Sequence, residues 1–311
     1  MDKNEWLNKW IKPITLNNDI FTKINSGNDY VHTFKPGAWT VIKELLLAYY
    51  APQYLIIMRK QKWIKKLCYI DLFAGSGIIT LTRLKNNYLG SPLIVKYAVE
   101  GNFDNYYFFE QKNDNINQLR ALVQDDHSWI YEGDSNIEIN RIIPEISKSG
   151  VHSLIFIDPF STQIKFETIR KLNNIGCDLI INVDAEGIKR VIRQHKNTNW
   201  KTPALDNFFG DINWKTRFAE NDDEEEIFNY YSDKIVKEAG KKKPVSTIVY
   251  KTLNGHNYYL LFTSTWGNGE RPKFFNIIDD FNKQIRNLDG KTIMEFIKHN
   301  IEGKSNLDVF Y

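Results

Sequence analysis

Short apolar runs alternate with longer segments of helical periodicity along the first half of the chain. The runs fall at 67–73, 106–109, 129–131 and 154–157. Each is continuous rather than alternating, and a helix-compatible segment separates it from the next. Unbroken apolar runs joined in this way predict strands buried on both faces of a parallel sheet. A fifth run at 178–183 fits the next strand. Two more, at 245–252 and 258–265, flank Asn254-Gly255, a dipeptide that favours a tight antiparallel turn. The pattern predicts a Rossmann-like, seven-stranded, mostly parallel α/β sheet with a C-terminal antiparallel hairpin.

The flanking segments fill out the picture. Trp6, Trp10 and Ile11 stand at roughly helical spacing in an otherwise polar start. Residues 38–58 predict a helix opened by Pro36-Gly37 and ended or kinked at Pro52. Between 183 and 245 lie about sixty residues, more than a helical crossover needs. This stretch holds Arg190, Arg193, His195, Trp200, Phe208, Phe209 and Trp214, and reads as a helical insertion that meets a substrate or partner. The expected division is a helical segment at 1–66, an α/β core at 67–183 and 245–311, and the insertion at 184–244. A sheet ending in such a hairpin departs from a plain dinucleotide-binding fold and matches the class I methyltransferase fold.

Four runs carry an acid at or just past their C-terminal end: Asp71, Glu110, Asp134 and Asp158. Ligands of open α/β sheets bind beyond the carboxyl ends of the strands, so these acids are expected around one pocket. Asp71 leads into Leu72, Phe73, Ala74, Gly75, Ser76 and Gly77, a strand, a glycine turn and an expected helix start. Glycine there permits close approach of a ligand to the backbone, and the turn offers N–H groups to an anion. The third glycine of a dinucleotide fingerprint is missing, which disfavours NAD and favours a nucleoside with an amino-acid tail, S-adenosylmethionine. Asp71, Phe73, Gly75 and Gly77 would form that wall, against the alternative of a sharp turn with no ligand. Glu110 would accept from the ribose hydroxyls, or stand as a solvated strand-end carboxylate. Asp134 would accept from the adenine amine, or serve as a turn residue feeding the next helix.

Asp158, Pro159 and Phe160 form the second anchor. Asp158 and the Pro159 carbonyl could accept hydrogen bonds from an amine, and Phe160 could stack on a planar ring. Two acceptors and one aromatic face suit an exocyclic amino group on a nucleic acid base. The sulfonium is a strong methyl donor, so positioning and charge carry the catalysis and no metal is required. The alternative is a shaped loop in which Asp158 caps a helix. A single proline followed by Phe160 and Ser161 departs from the usual amino-methyltransferase motif.

Composition narrows this only slightly. Hydrophobic residues make up 42% and charged residues 25%, enough for a core of ordinary size. The net charge of +3 does not by itself argue for nucleic acid. Arg59, Lys60, Lys62, Lys65 and Lys66 form one basic cluster, Lys241, Lys242 and Lys243 another, and 222–226 an acidic run; each alone reads first as solvated surface. Cys68 and Cys177 lack metal-ligand spacing and are expected as buried free thiols. No apolar signal core and no run near ~18 apolar residues is present, so a cytoplasmic protein without a membrane span is expected.

Together these residues resemble the three-Cys-motif partner proteins. The resemblance rests on His32, Thr33 and Lys35 ahead of a helix, the segment 69–77, Gly90-Ser91-Pro92-Leu93-Ile94, Phe108-Phe109-Glu110, and Phe156-Ile157-Asp158-Pro159-Phe160. It covers roughly 30–190, and Gly90-Ser91-Pro92-Leu93 is its most discriminating piece. It implies a class I methyltransferase-like fold and a partner protein carrying a three-cysteine, radical-enzyme-like motif. It carries over Asp71, Gly75, Gly77, Glu110 and Asp158 as site residues. His32 and Lys35 match as well, either at the pocket rim against the cofactor carboxylate or as helix-entry surface. The family usually has Gly after Asp-Pro-Phe, where this chain has Ser161. Two functions stay open: a methyltransferase acting on a nucleic acid base, and a catalytically inactive recognition subunit of a two-protein system.

Overall fold

The computed structural model describes residues 3–15, 38–81, 86–123, 125–198, 203–238, 245–251, 257–264, 274–285, 292–293 and 295–296. The strands are β1 (Lys66–Asp71), β2 (Ile78–Leu81), β3 (Asn86–Leu89), β4 (Asn105–Glu110), β5 (Ser128–Glu132), β6 (Val151–Ile157), β7 (Cys177–Val183), β8 (Val245–Lys251) and β9 (Asn257–Ser264). Seven of them form one sheet in the order β5-β4-β1-β6-β7-β9-β8. β5, β4, β1, β6 and β7 run parallel, and β9 lies antiparallel between β7 and β8. This is the strand order of the class I methyltransferase fold, including its one reversed strand. The turn at Asn254-Gly255, the basic cluster at 241–243, Trp200, His32 and Lys35 lie outside the described residues.

The longer helices are α1 (Lys3–Thr15), α2 (Ala38–Arg59), α3 (Asn113–Val123), α4 (Phe166–Asn173), α5 (Ala185–Thr198), α6 (Pro203–Phe209), α7 (Glu224–Glu238) and α8 (Phe274–Ile285). Successive strand residues point to opposite faces, which splits the core in two. Leu67, Tyr69, Leu154, Phe156 and Ile180 pack with α1, α2, α3 and α8. Cys68, Ile70, Ile155, Ile157 and Ile181 pack with α4, α5, α6 and α7. Both cysteines are buried thiols outside any disulfide, and Cys177 Sγ donates to the Leu172 carbonyl at 3.1 Å. The helices between 184 and 244 therefore bury an apolar face, including Phe208, Trp214 and Tyr231, against the sheet.

α2 runs the height of the sheet. Near its start Lys43 pairs with Asp158, just past the end of β6. Towards its end the Tyr54 hydroxyl meets His152 Nδ1 at 2.7 Å at the beginning of β6, and Arg59 pairs with Asp104 at 2.9 Å ahead of β4. The Tyr50 hydroxyl donates to Asp178 Oδ2 at 2.7 Å. Each buried tyrosine contributes roughly 1.5–3 kcal/mol from its ring, provided its hydroxyl finds a partner. Pro52 sits inside α2 rather than ending it. Its missing N–H removes one helical bond, and the buried Tyr50, Ala51 and Tyr54 around it hold the segment against the sheet. The stretch Thr40–Arg59 is long and apolar enough by composition to cross a membrane. It is 78% buried within the fold, as the core helix of a globular domain would be.

One expectation fails locally. No helix starts after Gly77; Ile78, Ile79 and Thr80 enter β2, which pairs antiparallel with β3. Three β-branched residues in succession favour that choice. The crossover helix begins only at Ser91, with Pro92 in its first turn. Gly90 N–H donates to the Gly77 carbonyl at 2.8 Å and closes the base of this arm. The arm explains why Glu110 lies so far from Asp71 in sequence.

Gly77 adopts a φ of +80°, and a Cβ there would stand 3.2 Å from both Leu93 and Leu119. Gly77→Ala is expected to lower stability by about 1–2 kcal/mol, read from urea unfolding.

Candidate functional site

The chain leaves β1 towards β4 and β5 on one side, while β6 and β7 build the other. That reversal of strand order opens a crevice between the C-terminal ends of β1 and β6. Register sets its rim: Asp71 pairs with Phe108 and Phe156, and Glu110 pairs with Glu132. Glu110, Asp134 and Asp158 therefore surround one end of the sheet. A cavity of about 790 Å³ lies there, with Phe73, Gly75, Gly77, Glu110, Asp134, Asp158, Pro159 and Phe160 on its walls.

The structure gives these residues distinct environments. Gly75 has a φ of +61°, and a Cβ added there would enter open space. The backbone at this turn is thus bare to whatever fills the cavity. Glu110 Oε1 accepts from the N–H groups of Gln111 and Lys112 at 2.8 and 2.7 Å, which fixes the carboxylate at the strand end. Asp134 caps the turn at Ser135–Glu138, its Oδ1 accepting from Asn136 N–H at 2.9 Å. It does this while lining the cavity, so the two readings of Asp134 are compatible. Phe160 is 62% exposed at the rim.

Asp71 stands behind the wall rather than on it. It is fully buried and accepts from the Ser91 hydroxyl at 2.6 Å, the Tyr69 hydroxyl at 3.2 Å and Phe73 N–H at 3.2 Å. These bonds tie the glycine turn to the start of the crossover helix. Burial nevertheless dominates and pushes its pKa from an ordinary 3.8 to about 7, the Ser91 and Phe73 bonds opposing and Asp158 adding to the rise.

Three neighbours were not singled out from the sequence: Lys43, Glu44 and Asn182. Lys43 pairs with Asp158 Oδ2, and Asn182 Nδ2 donates to Asp158 Oδ1 at 2.7 Å. Glu44 also lines the cavity, and burial holds its carboxyl well above the usual carboxylate range. The signal was present, since Lys43 and Glu44 are the only charged residues between 38 and 58. A charge pair inside an apolar helix has to be matched by something in the fold.

Ser161 follows the Asp-Pro-Phe segment with a φ of +51° and a buried hydroxyl that has no partner. This left-handed conformation suits glycine. The position where the resembling family carries Gly thus keeps a glycine-like backbone here despite the side chain.

The basic cluster at 59–66 lies at the N-terminal edge of the sheet, opposite the cavity. Arg59 is engaged with Asp104, and Lys66 with Glu145 at 3.1 Å. The cavity walls carry Lys43, Lys112 and Arg190 against Glu44, Glu110, Asp134, Asp158, Asp184 and Glu186. The lining is therefore rich in acids.

No family model matches the chain, and no curated protein does. Solved structures with a similar course of the chain include protein LPL1258 from Legionella pneumophila, 13% identical over 80% of this chain and 93% of that one, with a TM-score of 0.46. The O-methyltransferase TomG from Streptomyces achromogenes, in complex with S-adenosylmethionine, is 8% identical over 81% and 92%, with a TM-score of 0.39. The Methanococcus jannaschii fibrillarin, a pre-rRNA processing protein, is 12% identical over 65% and 67%, with a TM-score of 0.34. At such distances these likenesses carry no argument, and the fold assignment rests on the strand order itself.

Two outcomes follow from this geometry. Ser161→Gly removes the strained φ and the unpartnered hydroxyl, and is expected to raise stability by about 1 kcal/mol in thermal or urea unfolding. The folded protein keeps the Asp71 proton to a higher pH than the unfolded chain does. Stability is therefore expected to fall as pH rises from about 4 to about 7, and Asp71→Asn to flatten that slope in unfolding curves taken across this range.

Proposed function

We propose that this chain is an S-adenosylmethionine-dependent methyltransferase. The observation that carries the reading is the convergence of a bare glycine turn after β1 with the carboxylates of Glu110, Asp134 and Asp158 at the ends of neighbouring strands, in a sheet of class I methyltransferase order. Glu110 would hold the ribose hydroxyls and Asp134 the adenine amine. Gly75 and Gly77 would let the amino-acid tail lie against the backbone. An acid-rich cavity favours a ligand with a positive sulfonium, which supplies the methyl group.

The acceptor we assign is an exocyclic amine on a nucleic acid base. Phe160 offers its exposed ring beside Asp158 and the Pro159 carbonyl. A carboxylate has about four lone-pair positions, so Asp158 can take an amine N–H while holding Lys43 and Asn182. Lys43 and Asn182 hold one oxygen each, which fixes the orientation of the group.

One observation favours a second reading. Both Asp158 oxygens are already engaged within the protein. In that case the fold serves as the recognition subunit of a two-protein system, with a three-Cys-motif protein as partner.

Calorimetric titration with S-adenosylmethionine is expected to show binding that Glu110→Ala weakens about tenfold or more. Absence of binding by the wild type would sink the proposal. Transfer of labelled methyl to nucleosides, DNA or RNA is expected, and its loss in Asp158→Asn with ligand binding intact would place Asp158 at the acceptor. Binding without transfer to any of these pools would favour the recognition subunit.

A further inference from the structure

The α2 wall of the cavity carries a group that this reading leaves unused. Lys43 has its counter-charge in Asp158. Glu44 does not: it is 3% exposed, and its buried Oε2 has no hydrogen-bond partner among the described residues. The charges around it are Lys43 on its own helix, Asp158 past β6 and Asp71 at the end of β1. The Ser91 N–H faces it from the crossover helix, and the hydroxyls of Tyr69 and Tyr88 lie within reach of its charge. Among the described residues, one cation thus serves three carboxyls.

The sheet order says which part of a nucleoside ligand would come here. Glu110 and Asp134 follow β4 and β5, on one side of β1, while Asp158 follows β6 on the other. A nucleoside held by Glu110 and Asp134 over β4 and β5 would have its tail on the side of the glycine turn, Ser91 and α2, which line the same cavity. The last torsion of a glutamate is soft and nearly two-fold, so a turn of the carboxyl exchanges which oxygen faces the cavity.

We propose that Glu44 receives the α-ammonium group at the amino-acid end of the bound ligand. This rests on the reading that the cavity takes S-adenosylmethionine. The ligand then brings a second cation to the three carboxyls. Burial raises the Glu44 pKa in the free protein, Lys43 opposing and Asp158 and Asp71 adding to the rise, which favours the neutral form. Arrival of an ammonium group favours the ionised form, so binding releases a proton and strengthens as pH rises.

The test compares S-adenosylhomocysteine, which has the amino-acid end, with 5′-methylthioadenosine, which lacks it. Calorimetry on the wild type is expected to show tighter binding of the first. Glu44→Gln keeps the shape and is expected to lower that affinity about tenfold or more, leave 5′-methylthioadenosine within about twofold, and flatten the pH dependence of S-adenosylhomocysteine binding. An unchanged melting temperature checks that the variant is folded. Equal loss for both ligands, or no loss for either, overturns the proposal. So does a wild type that binds both ligands equally, a measurement that needs no variant. A wild type that binds neither ligand refutes the cofactor reading itself, and this assignment with it.

Discussion

The ion pair between Lys43 and Asp158 joins the two halves of this protein that matter for its chemistry. Asp158 ends the strand at which the chain reverses its course through the sheet. Lys43 comes from a helix that lies outside the alternating β and α units. Their contact fixes the start of α2 over the C-terminal edge, just as Tyr54 and Arg59 fix its end over the opposite edge. A partly buried pair of this kind contributes little net stability once its desolvation is counted. Its value is placement: it sets one wall of the cavity and holds Asp158 in a single orientation, with Asn182 taking the other oxygen.

The same contact shapes the electrostatics around it. Asp71, Glu44 and Asp158 lie near one another, and Lys43 is the one cation among the groups that perturb them. Asp71 and Glu44 are both buried there, so ionising either costs desolvation as well as repulsion from its neighbours. Burial is the main reason that Asp71 rises to about 7 despite three hydrogen bonds, and the neighbouring Asp158 adds to the rise. A fold that keeps protons on its acids in this way is poised for a cationic ligand and is weakened by alkali.

Much of this was legible in the sequence because strand burial and strand-end acids leave local marks. The apolar runs ending at Asp71, Glu110 and Asp158 gave the parallel strands, and the Asn-Gly dipeptide between two late runs gave the antiparallel pair. What stayed hidden depends on distant partners. The residues after Gly77 look helix-compatible alone, and only pairing with Asn86–Leu89 makes them a strand. Pro52 reads as either an end or a kink, and packing on the sheet carries the helix through it. Lys43 and Glu44 are conspicuous in an apolar helix, but nothing nearby in sequence says that they face Asp158. The left-handed backbone at Ser161 is likewise invisible when the residue is not glycine.

The placement of charge also bears on how an acceptor would be recognised. Cations at 59–66 face the edge opposite the cavity. Those on α5, Arg193 and Lys196, are drawn to Asp222. Near the cavity, Lys112 and Arg190 stand among more numerous acids. Among the described residues no continuous basic track leads to the cavity, whereas a planar ring would meet Phe160, and an amine would meet Asp158 and the Pro159 carbonyl. Affinity built on stacking and amine contacts depends only weakly on salt, because few counterions are displaced. If a nucleic acid is the acceptor, the described surface favours engagement of the base itself, with the backbone held elsewhere or by a partner.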